Sequence, residues 1–206
     1  MTNRAIYHIT HVENLASMVQ QARLWSDAQR VAQGFASTNI GYSHIKERRM
    51  RRVVSVAAGG TLGQYVPFNF CPRSVMLFVV RQGHENYAAG QKPIVHLVSS
   101  IQTIQATGRP WFFTDRHADL GYAQQFDSLN RLDEVDWSVM PVRQWGGNEE
   151  VKEKRQAEFL VHDWCPWTAI ETIGVIDQGM ATLVTAALAG AAHQPRVEIR
   201  GDWYYY

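Results

Sequence analysis

The chain has 206 residues, of which 46% are apolar, and its formal net charge is +1. This composition excludes a disordered chain and a polycation, and the length predicts a single domain over residues 1–206. Because the longest apolar runs are too short or too rich in small residues to span a bilayer, and the first residues do not form a signal peptide, we expect a cytoplasmic protein without a membrane partner.

Hydrophobic periodicity in the first half of the chain predicts short strands and helices. The predicted elements are a strand over 5–10, a helix over 14–24, a loop over 26–38, a helix over 40–51 and a turn over 57–62. The aromatic segment 65–70 alternates like a strand, and Pro67 assigns it to the edge or the end of a sheet. The apolar run 74–81 matches either a helix or a strand.

The second half is richer in predicted strands. They cover 93–98, 111–114, 155–162, 172–176 and 197–204, with helices over 117–129 and 177–192 and a loop over 137–150. The segment 155–162 alternates, so we expect a half-buried strand with Glu158 facing away from Ala157, Phe159 and Val161. Strands outnumber helices, and most are not joined by helices. We therefore predict an α+β fold with mainly antiparallel central sheets flanked by helices.

Basic residues cluster in two segments of this nearly neutral chain. The first segment contains Lys46, Arg48, Arg49, Arg51 and Arg52, and the second contains Lys152, Lys154 and Arg155. Such local patches bind polyanions, for example a dinucleotide or a nucleic-acid strand. Two solvated helix faces give the same pattern, and charge alone favours that alternative.

The two cysteines, Cys71 and Cys165, lie far apart and have no paired spacing. A disulfide framework or a zinc site requires such spacing, and a zinc site usually has histidines nearby. We therefore expect two reduced thiols and no metal site.

Two polar pairs in the first quarter of the chain suit a phosphate-containing ligand. His8 and Thr10 are two apart on the first strand, so both point to one face, where they suit hydrogen bonding to a ribose or a carboxamide. A structural histidine is the alternative for His8. Arg48 and Arg49 present planar donors that match phosphate, and one of the two is expected to face inward because adjacent helix residues are about 100° apart.

Two further candidates lie in the second half. Thr114, Asp115 and His117 follow an aromatic strand, where they suit a helix cap or, in the case of His117, a proton acceptor. Glu158 lies in mid-strand, where glutamate is uncommon and burial of its charge is costly. It therefore either faces a pocket, where it stabilises a developing cation, or lies on an exposed face.

Taken together, several short stretches resemble the DarT family of DNA ADP-ribosyltransferases, the toxins of DarT–DarG toxin–antitoxin systems. The matching stretches are AIYHITHVENL, NIGY followed by Arg49, GGTLGQYVPFNFCPRS, FFTDRHA, SLNRLDEVDW, RQAEFLV and the terminal GDWYYY. The resemblance covers nearly the whole chain. It implies an ADP-ribosyltransferase-like fold and an enzyme that takes NAD as co-substrate, transfers ADP-ribose to thymidine in single-stranded DNA, and releases nicotinamide.

The resemblance also implies roles for individual residues and a partner. The catalytic residues would be Glu158, Arg49 and His117. The residues that hold NAD would be His8, Ile9, Thr10 and Arg49. The residues along the DNA would be Lys46, Arg48, Arg51, Arg52, Lys154 and Arg155. The second-strand position of the site is open between Tyr65, Phe68 and Asn69, and the implied protein partner is a macrodomain antitoxin of the DarG type.

The expected chemistry centres on the glycosidic bond to nicotinamide. Its cleavage gives the ribose oxocarbenium character, which a carboxylate such as Glu158 stabilises most in the transition state. Lys154 and Arg155 are expected to help keep Glu158 ionised. Arg49 is expected to bind phosphate and polarise a thymine carbonyl, since a guanidinium is too basic to accept the imide proton. Two alternatives are open: a transferase of the same fold that modifies protein or RNA, and a catalytically silent nucleic-acid-binding module.

Overall fold

The structure is a computed structural model that describes residues 4–206, and the first three residues of the expected domain lie outside this range. The strands within it are β1 (Ala5–His11), β2 (Arg23–Trp25), β3 (Tyr65–Asn69), β4 (Ile94–Ser100), β5 (Trp111–His117), β6 (Gln125–Phe126), β7 (Ala157–His162), β8 (Trp164–Pro166), β9 (Thr172–Val175) and β10 (Arg196–Ile199). The α-helices are α1 (Leu15–Gln21), α2 (Asp27–Ala32), α3 (Ser43–Arg49), α4 (Val75–Gln82), α5 (Ile101–Ala106), α6 (Glu149–Lys154) and α7 (Gln178–Ala187).

Eight of these strands form one sheet in the order β10-β9-β4-β1-β3-β7-β5-β6, and β2 pairs with β8 in a small second sheet. Neighbouring strands are antiparallel except β9 and β10, which are parallel. Helices α1, α5 and α7 each contribute apolar side chains to the core that covers one face of the large sheet. The predicted α+β fold with mainly antiparallel sheets is confirmed.

The large sheet is weakly joined at its centre. Strand β1 pairs with β4 over seven residue pairs and β3 pairs with β7 over five, whereas β1 and β3 pair only at Tyr7 and Asn69. The two halves of the sheet therefore diverge beyond that pair. The His8 side chain spans the gap, because its Nδ1 donates a hydrogen bond of 2.8 Å to the Pro67 carbonyl.

Pro67 lies in an internal strand, so the prediction that this segment occupies an edge or an end of the sheet is wrong. A residue in an antiparallel strand directs its nitrogen and its carbonyl towards the same neighbour. The Pro67 carbonyl points towards β1, where it accepts from the side chain of His8. Since β1 makes no ladder pair at this position, the missing N–H of the proline costs the sheet no hydrogen bond.

Strand β7 is buried on both faces, so the prediction of a strand buried on only one face is wrong. Phe159 and Val161 belong to the main core on one face of the sheet. On the other face Leu160 packs against Tyr65 and Phe112 in a smaller cluster. Every residue from Ala157 to Val161 is buried as a result, and the solvent-facing position that the alternation suggested does not exist.

Three predicted segments in the first third of the chain are wrong in type or in extent. The segment predicted as a loop over 26–38 contains α2, whose first turn is capped by Ser26 through a hydrogen bond from the Gln29 N–H to the Ser26 hydroxyl. The helix predicted over 14–24 ends at Gln21 because Ala22 adopts a left-handed conformation with φ of 52°, and the next three residues pair with β8. The helix predicted over 40–51 is the shorter α3.

Two further segments differ from the prediction, and the structure decides the type of a third, which the sequence left open. There is no helix over 117–129, because β5 continues to His117 and the chain then turns so that Phe126 of β6 pairs with Phe113. The ambiguous run 74–81 is helix α4, capped by Ser74. The strand predicted over 197–204 ends at Ile199, since a 3-10 helix follows and places the Trp203 ring over the bare Cα of Gly174.

The sequence predicts no membrane-spanning segment, no disulfide and no metal site. No helix within residues 4–206 is long and apolar enough to cross a membrane. Both cysteines are buried, and neither forms a disulfide. The described residues contain no group of three or more His, Cys, Asp or Glu side chains arranged to hold a metal ion.

His96 gives the fold a pH-dependent contribution to its stability. The residue lies on β4, fully buried, with its ring edge-on to Trp203 and Tyr204 and its Nε2 3.0 Å from the Pro72 carbonyl. Burial lowers the pKa of His96 from 6.5 to about 4. The folded chain therefore keeps this imidazole neutral at pH values where the unfolded chain protonates it.

We expect the free energy of unfolding to fall as the pH is lowered from 6.5 towards 4, because the unfolded state then binds a proton that the folded state does not. At about 1.36 kcal/mol per pKa unit, His96 accounts for roughly 3 kcal/mol of this loss. Urea denaturation at several pH values should therefore show a flatter profile for His96→Gln. The matched control is His44→Gln at an exposed position, which should keep the wild-type slope; equal slopes for both variants would contradict the assignment.

Candidate active site

Glu158 and Arg49 form a buried ion pair between β7 and α3. The Arg49 guanidinium donates from Nη1 to Oε1 at 3.0 Å and from Nη2 to Oε2 at 2.9 Å, a bidentate geometry. The Arg49 side chain is 12% exposed, and the Glu158 side chain is 9% exposed. Strand β7 fixes the position of Glu158 opposite Asn69 of β3, and the Glu158 N–H donates to the hydroxyl of Thr114 on β5.

The Glu158 carboxylate stabilises the charge of Arg49 in its buried position. Burial alone lowers the pKa of Arg49, but the Glu158 carboxylate raises it, and the net pKa lies above its ordinary value. Arg49 is therefore a permanent cation and does not accept a proton at this site. Breaking such a pair by removing one partner is costly, because it leaves an uncompensated charge in a buried position.

His117 completes the group at the end of β5. A register shift in the pairing of β5 with β7 precedes it, and its Nε2 lies 3.9 Å from Glu158 Oε1. Burial lowers the pKa of His117, although Glu158 acts in the opposite direction. The imidazole is thus neutral near pH 7, and a neutral imidazole has a nitrogen available to accept a proton.

Thr114 and Asp115 do not cap a helix, which was one of the alternatives for this segment. The Thr114 hydroxyl accepts from Glu158 N–H and donates to the Arg116 carbonyl at 2.6 Å. Asp115 accepts from the Gln124 N–H and from Arg116 Nε. Both residues therefore fix the turn that follows β5, and Thr114 also fixes the backbone of β7 at Glu158.

Asp119 joins the turn after His117 to helix α3, a contact that the sequence did not reveal. Its carboxylate accepts from Arg48 Nε at 2.8 Å, and its carbonyl accepts from Arg52 Nη2 at 2.8 Å. The Asp119 carboxylate is buried, whereas the Arg48 side chain that contacts it is 55% exposed. The arginines on either side of Arg49 in the sequence are thereby held to the segment that carries His117.

Three of the four residues predicted to hold NAD lie on β1, and the fourth is Arg49 of α3. His8 donates to the Pro67 carbonyl, and burial lowers its pKa, so the ring is neutral with Nε2 as an acceptor. The Thr10 hydroxyl accepts from Asn14 Nδ2 at 3.0 Å. Ile9 packs into a core cluster with Tyr204 and so offers a ligand only its backbone.

The structure does not bring His8 and Thr10 against Glu158. Tyr7 pairs with Asn69, and Asn69 pairs with Glu158, so Tyr7 is the β1 residue on the face of Glu158. Side chains alternate along a strand, which puts His8 and Thr10 on the opposite face, at the gap between β1 and β3.

Among the three candidates for the second-strand position, Asn69 lies beside Glu158. Its side chain makes a hydrogen bond of 3.4 Å to the Tyr7 carbonyl. The Tyr65 hydroxyl instead donates to the Gly59 carbonyl, and Phe68 lies in the core on the other face. The register of β3 therefore favours Asn69 for the second-strand position, which the sequence alone left open between three residues.

The basic residues predicted to contact DNA occupy several environments. Arg48, Arg51 and Arg52 line an open cavity of about 660 Å³, whose other side is the turn over 118–123. Lys46 binds Asp27 at 3.0 Å. The Lys154 ammonium contacts two carboxylates, which belong to Asp136 and Glu150.

Arg155 is buried, so the prediction that it contacts DNA is wrong, whereas its effect on the ionisation of Glu158 stays a prediction. The side chain is 1% exposed. Its guanidinium donates to the carbonyls of Val139, Met140 and Arg73. These contacts tie the start of β7 to two loops that are distant in sequence. A surface position was expected from the local charge pattern, which carries no information about backbone acceptors elsewhere.

Comparison with known proteins decides the family. Residues 7–205 match the family described as ssDNA thymidine ADP-ribosyltransferase, DarT. The chain belongs to the DarT family. A DNA ADP-ribosyl transferase from Thermus sp. (strain 2.9) is 44% identical over 202 residues, which are 97% of this chain and 95% of that protein. One from Escherichia coli O127:H6 is 28% identical, over 97% of this chain and 93% of its own length.

Solved structures of a DarT support the same assignment. The structure of Thermus sp. 2.9 DarT in complex with ADP-ribosylated ssDNA matches with a TM-score of 0.91 and 42% identity, over 98% of this chain and 96% of that one. The structure of the same protein in complex with NAD+ matches with a TM-score of 0.87 and 40% identity, over 98% and 97%. The resemblance to DarT that the sequence motifs indicated is confirmed, and with it the ADP-ribosyltransferase-like fold.

Arg155 provides a direct test of the buried role described above. We expect Arg155→Met to lower the free energy of unfolding by about 3 kcal/mol or more, because three buried carbonyls lose a charged donor at once. The adjacent Lys154→Met is the matched control, and its loss should stay within about 1 kcal/mol, because its ion pairs are accessible to solvent. Urea denaturation measures both, and equal stabilities of the two variants would show that Arg155 is not a structural residue.

Proposed function

We propose that this chain transfers the ADP-ribosyl group of NAD to thymidine bases in single-stranded DNA and releases nicotinamide. The observation that carries the proposal is the buried Glu158–Arg49 pair, with His117 beside it, in a chain of the DarT family. The Thermus relative has been solved with NAD+ and with ADP-ribosylated ssDNA, which supports both substrates. The family membership argues against a catalytically silent binding module.

Glu158 is the proposed electrostatic catalyst. The bond between nicotinamide and the ribose anomeric carbon breaks, the electron pair leaves with nicotinamide, and the ribose gains positive charge. A carboxylate in a site that largely excludes water stabilises that charge more strongly than the neutral ground state. Glu158 meets this requirement, since it is 7% exposed and rigidly placed in mid-strand.

Arg49 and His117 are proposed to act on the acceptor base. The imide nitrogen of thymine forms the new bond to the anomeric carbon and loses its proton. Arg49 holds its own proton firmly, so its role is to polarise a thymine carbonyl and bind phosphate. The neutral imidazole of His117 lies 3.9 Å from Glu158 and is the proposed acceptor of the imide proton.

The N-terminal strand is proposed to hold the nicotinamide end of NAD. His8 has an acceptor nitrogen at the gap between the two halves of the sheet, which suits a ribose hydroxyl or a carboxamide N–H. Thr10 offers a hydroxyl on the same face of β1, and Ile9 offers its backbone between them. These groups match the polar parts of the co-substrate without any metal ion.

The strand of DNA is proposed to run along α3. Arg48, Arg51 and Arg52 line the open cavity, and Lys46 lies on α3. Lys154 lies on α6 and contacts two carboxylates there, so the proposed path does not include it. A macrodomain antitoxin that removes the modification is the proposed protein partner, as the family resemblance implies.

The acceptor can be identified directly. We expect radiolabel from adenine-labelled NAD to appear on thymidine-containing single-stranded oligonucleotides, with no label on matched oligonucleotides that lack thymidine. Duplexes of the same sequence should be labelled far less, because a base must leave the stack to reach the site, at a cost of a few kcal/mol. Label found only on RNA or on protein would show that the acceptor is different. Mass spectrometry of the labelled nucleoside checks the modified base.

The role of Glu158 is tested by Glu158→Gln, which keeps the side-chain shape and removes the charge. We expect transfer to fall by about 100-fold or more while NAD binding is largely kept, since the charge acts mainly in the transition state. Single-turnover kinetics and calorimetric NAD binding measure the two effects. The exposed Glu134→Gln is the control. Near-normal transfer by Glu158→Gln would refute the mechanism.

A further inference from the structure

Strand β10 forms one edge of the large sheet, and its outer backbone groups are unpaired. The Arg196 N–H donates to the carbonyl of Glu171, the residue before β9, so Arg196 directs its backbone towards that strand. Because the backbone direction alternates along a strand, Val197 and Ile199 direct their N–H and carbonyl groups away from β9. No second strand within residues 4–206 pairs with β10 on that side. An edge of this kind is a template for pairing with another chain.

Helix α7 lies beside this edge and presents a surface without charge. Its sequence, QGMATLVTAA, contains no Lys, Arg, Asp or Glu, although about a quarter to a third of an ordinary protein surface is charged. Thr182, Thr185 and Ala186 are exposed and repeat at helical spacing. Together with Val197 and Ile199 of β10 they line an open groove of about 680 Å³. The groove therefore suits another uncharged surface and offers nothing to a polyanion.

The edge strand complements a second copy of itself in charge. Arg196 and Glu198 lie on the face of β10 that points away from the groove, 3.8 Å apart. In an antiparallel pair centred on Val197, each Arg196 lies opposite Glu198 of the second copy, and the two Val197 residues exchange both backbone hydrogen bonds. A pair centred on Glu198 would set two carboxylates opposite each other, and one centred on Ile199 would run into the 3-10 helix Gly201–Trp203. Charge and strand length therefore select one register.

We propose that two copies of this chain associate through antiparallel β10 strands and the adjoining faces of α7, with one sheet continuous across the twofold axis. A specific interface buries about 1,000 Å² or more, which a strand of four residues does not provide alone. The uncharged face of α7 supplies the additional area, and it meets its own copy in an isologous contact. Strand β7, which carries Glu158, lies in the other half of the sheet order, so both sites stay open. The proposal therefore does not rest on the proposed function.

Sedimentation velocity of the full chain over a range of concentrations tests the proposal, and we expect a reversible monomer–dimer equilibrium. Arg196→Glu and Glu198→Arg should each raise the dimer Kd about ten-fold or more, because each variant sets like charges opposite each other at two places. The double variant Arg196→Glu/Glu198→Arg restores opposite charges and should recover a Kd near that of the wild type. Ala186→Glu, in the groove, should also weaken the dimer. The control is Arg131→Glu, which makes the same charge change in the exposed pair with Glu134.

The double variant separates a lost interface from a damaged fold, since a variant that merely misfolds is not repaired by a second charge reversal. Urea denaturation of each variant, at a dilution where the wild type is monomeric, checks that the fold is kept. A chain that stays monomeric at every concentration would overturn the proposal. So would a dimer whose Kd is the same in the wild type and in both single charge reversals, because the copies would then meet on another surface. A double variant as weak as the single ones would overturn the register on which the proposal depends.

Discussion

The buried ion pair between Arg49 and Glu158 is the constraint on which the site depends. A carboxylate in the middle of a strand that is covered on both faces is unstable unless a cation accompanies it. Arg49 supplies that charge with two parallel hydrogen bonds, and it comes from a helix of only seven residues. Such a short helix does not hold a fixed position by itself, so the geometry of the pair must be maintained by contacts outside it.

Those contacts come from Asp119. It binds Arg48 through its carboxylate and Arg52 through its carbonyl, so α3 is held on both sides of Arg49. The same turn begins at His117, and its residues 118–123 form one wall of the cavity that Arg48, Arg51 and Arg52 also line. A single buried aspartate therefore ties the helix that carries Arg49 to the turn that carries His117. The precision of the site is a property of this turn as much as of the strands.

Part of this arrangement follows from the sequence. Alternation over 155–162 placed Glu158 on the face of β7 opposite Phe159 and Val161. The resemblance to DarT assigned Arg49 and His117 to the same site as Glu158. The positions of Arg155 and Asp119 could not be read in this way. Arg155 binds three backbone carbonyls, which leave no signature in side-chain patterns, and Asp119 meets Arg48 across 71 positions of the chain. Burial on both faces of β7 was missed for a similar reason, since periodicity reports one covered face and the second cover comes from distant segments.

Strands β1 and β3 are joined by a single residue pair, and this junction lies next to the buried ion pair of Arg49 and Glu158. Strands β1 and β3 join only at Tyr7 and Asn69, and Asn69 is the partner of Glu158 in the ladder. The proposed NAD site spans this junction, with His8 on one half of the sheet and the ion pair on the other. Contacts on the first half are proposed to hold the ribose hydroxyls and the carboxamide, which stay chemically unchanged, while the carboxylate on the second half acts on the bond that breaks. Binding energy from the non-reacting part is thereby available to hold the reacting carbon against Glu158, which is where it contributes to rate rather than to affinity alone.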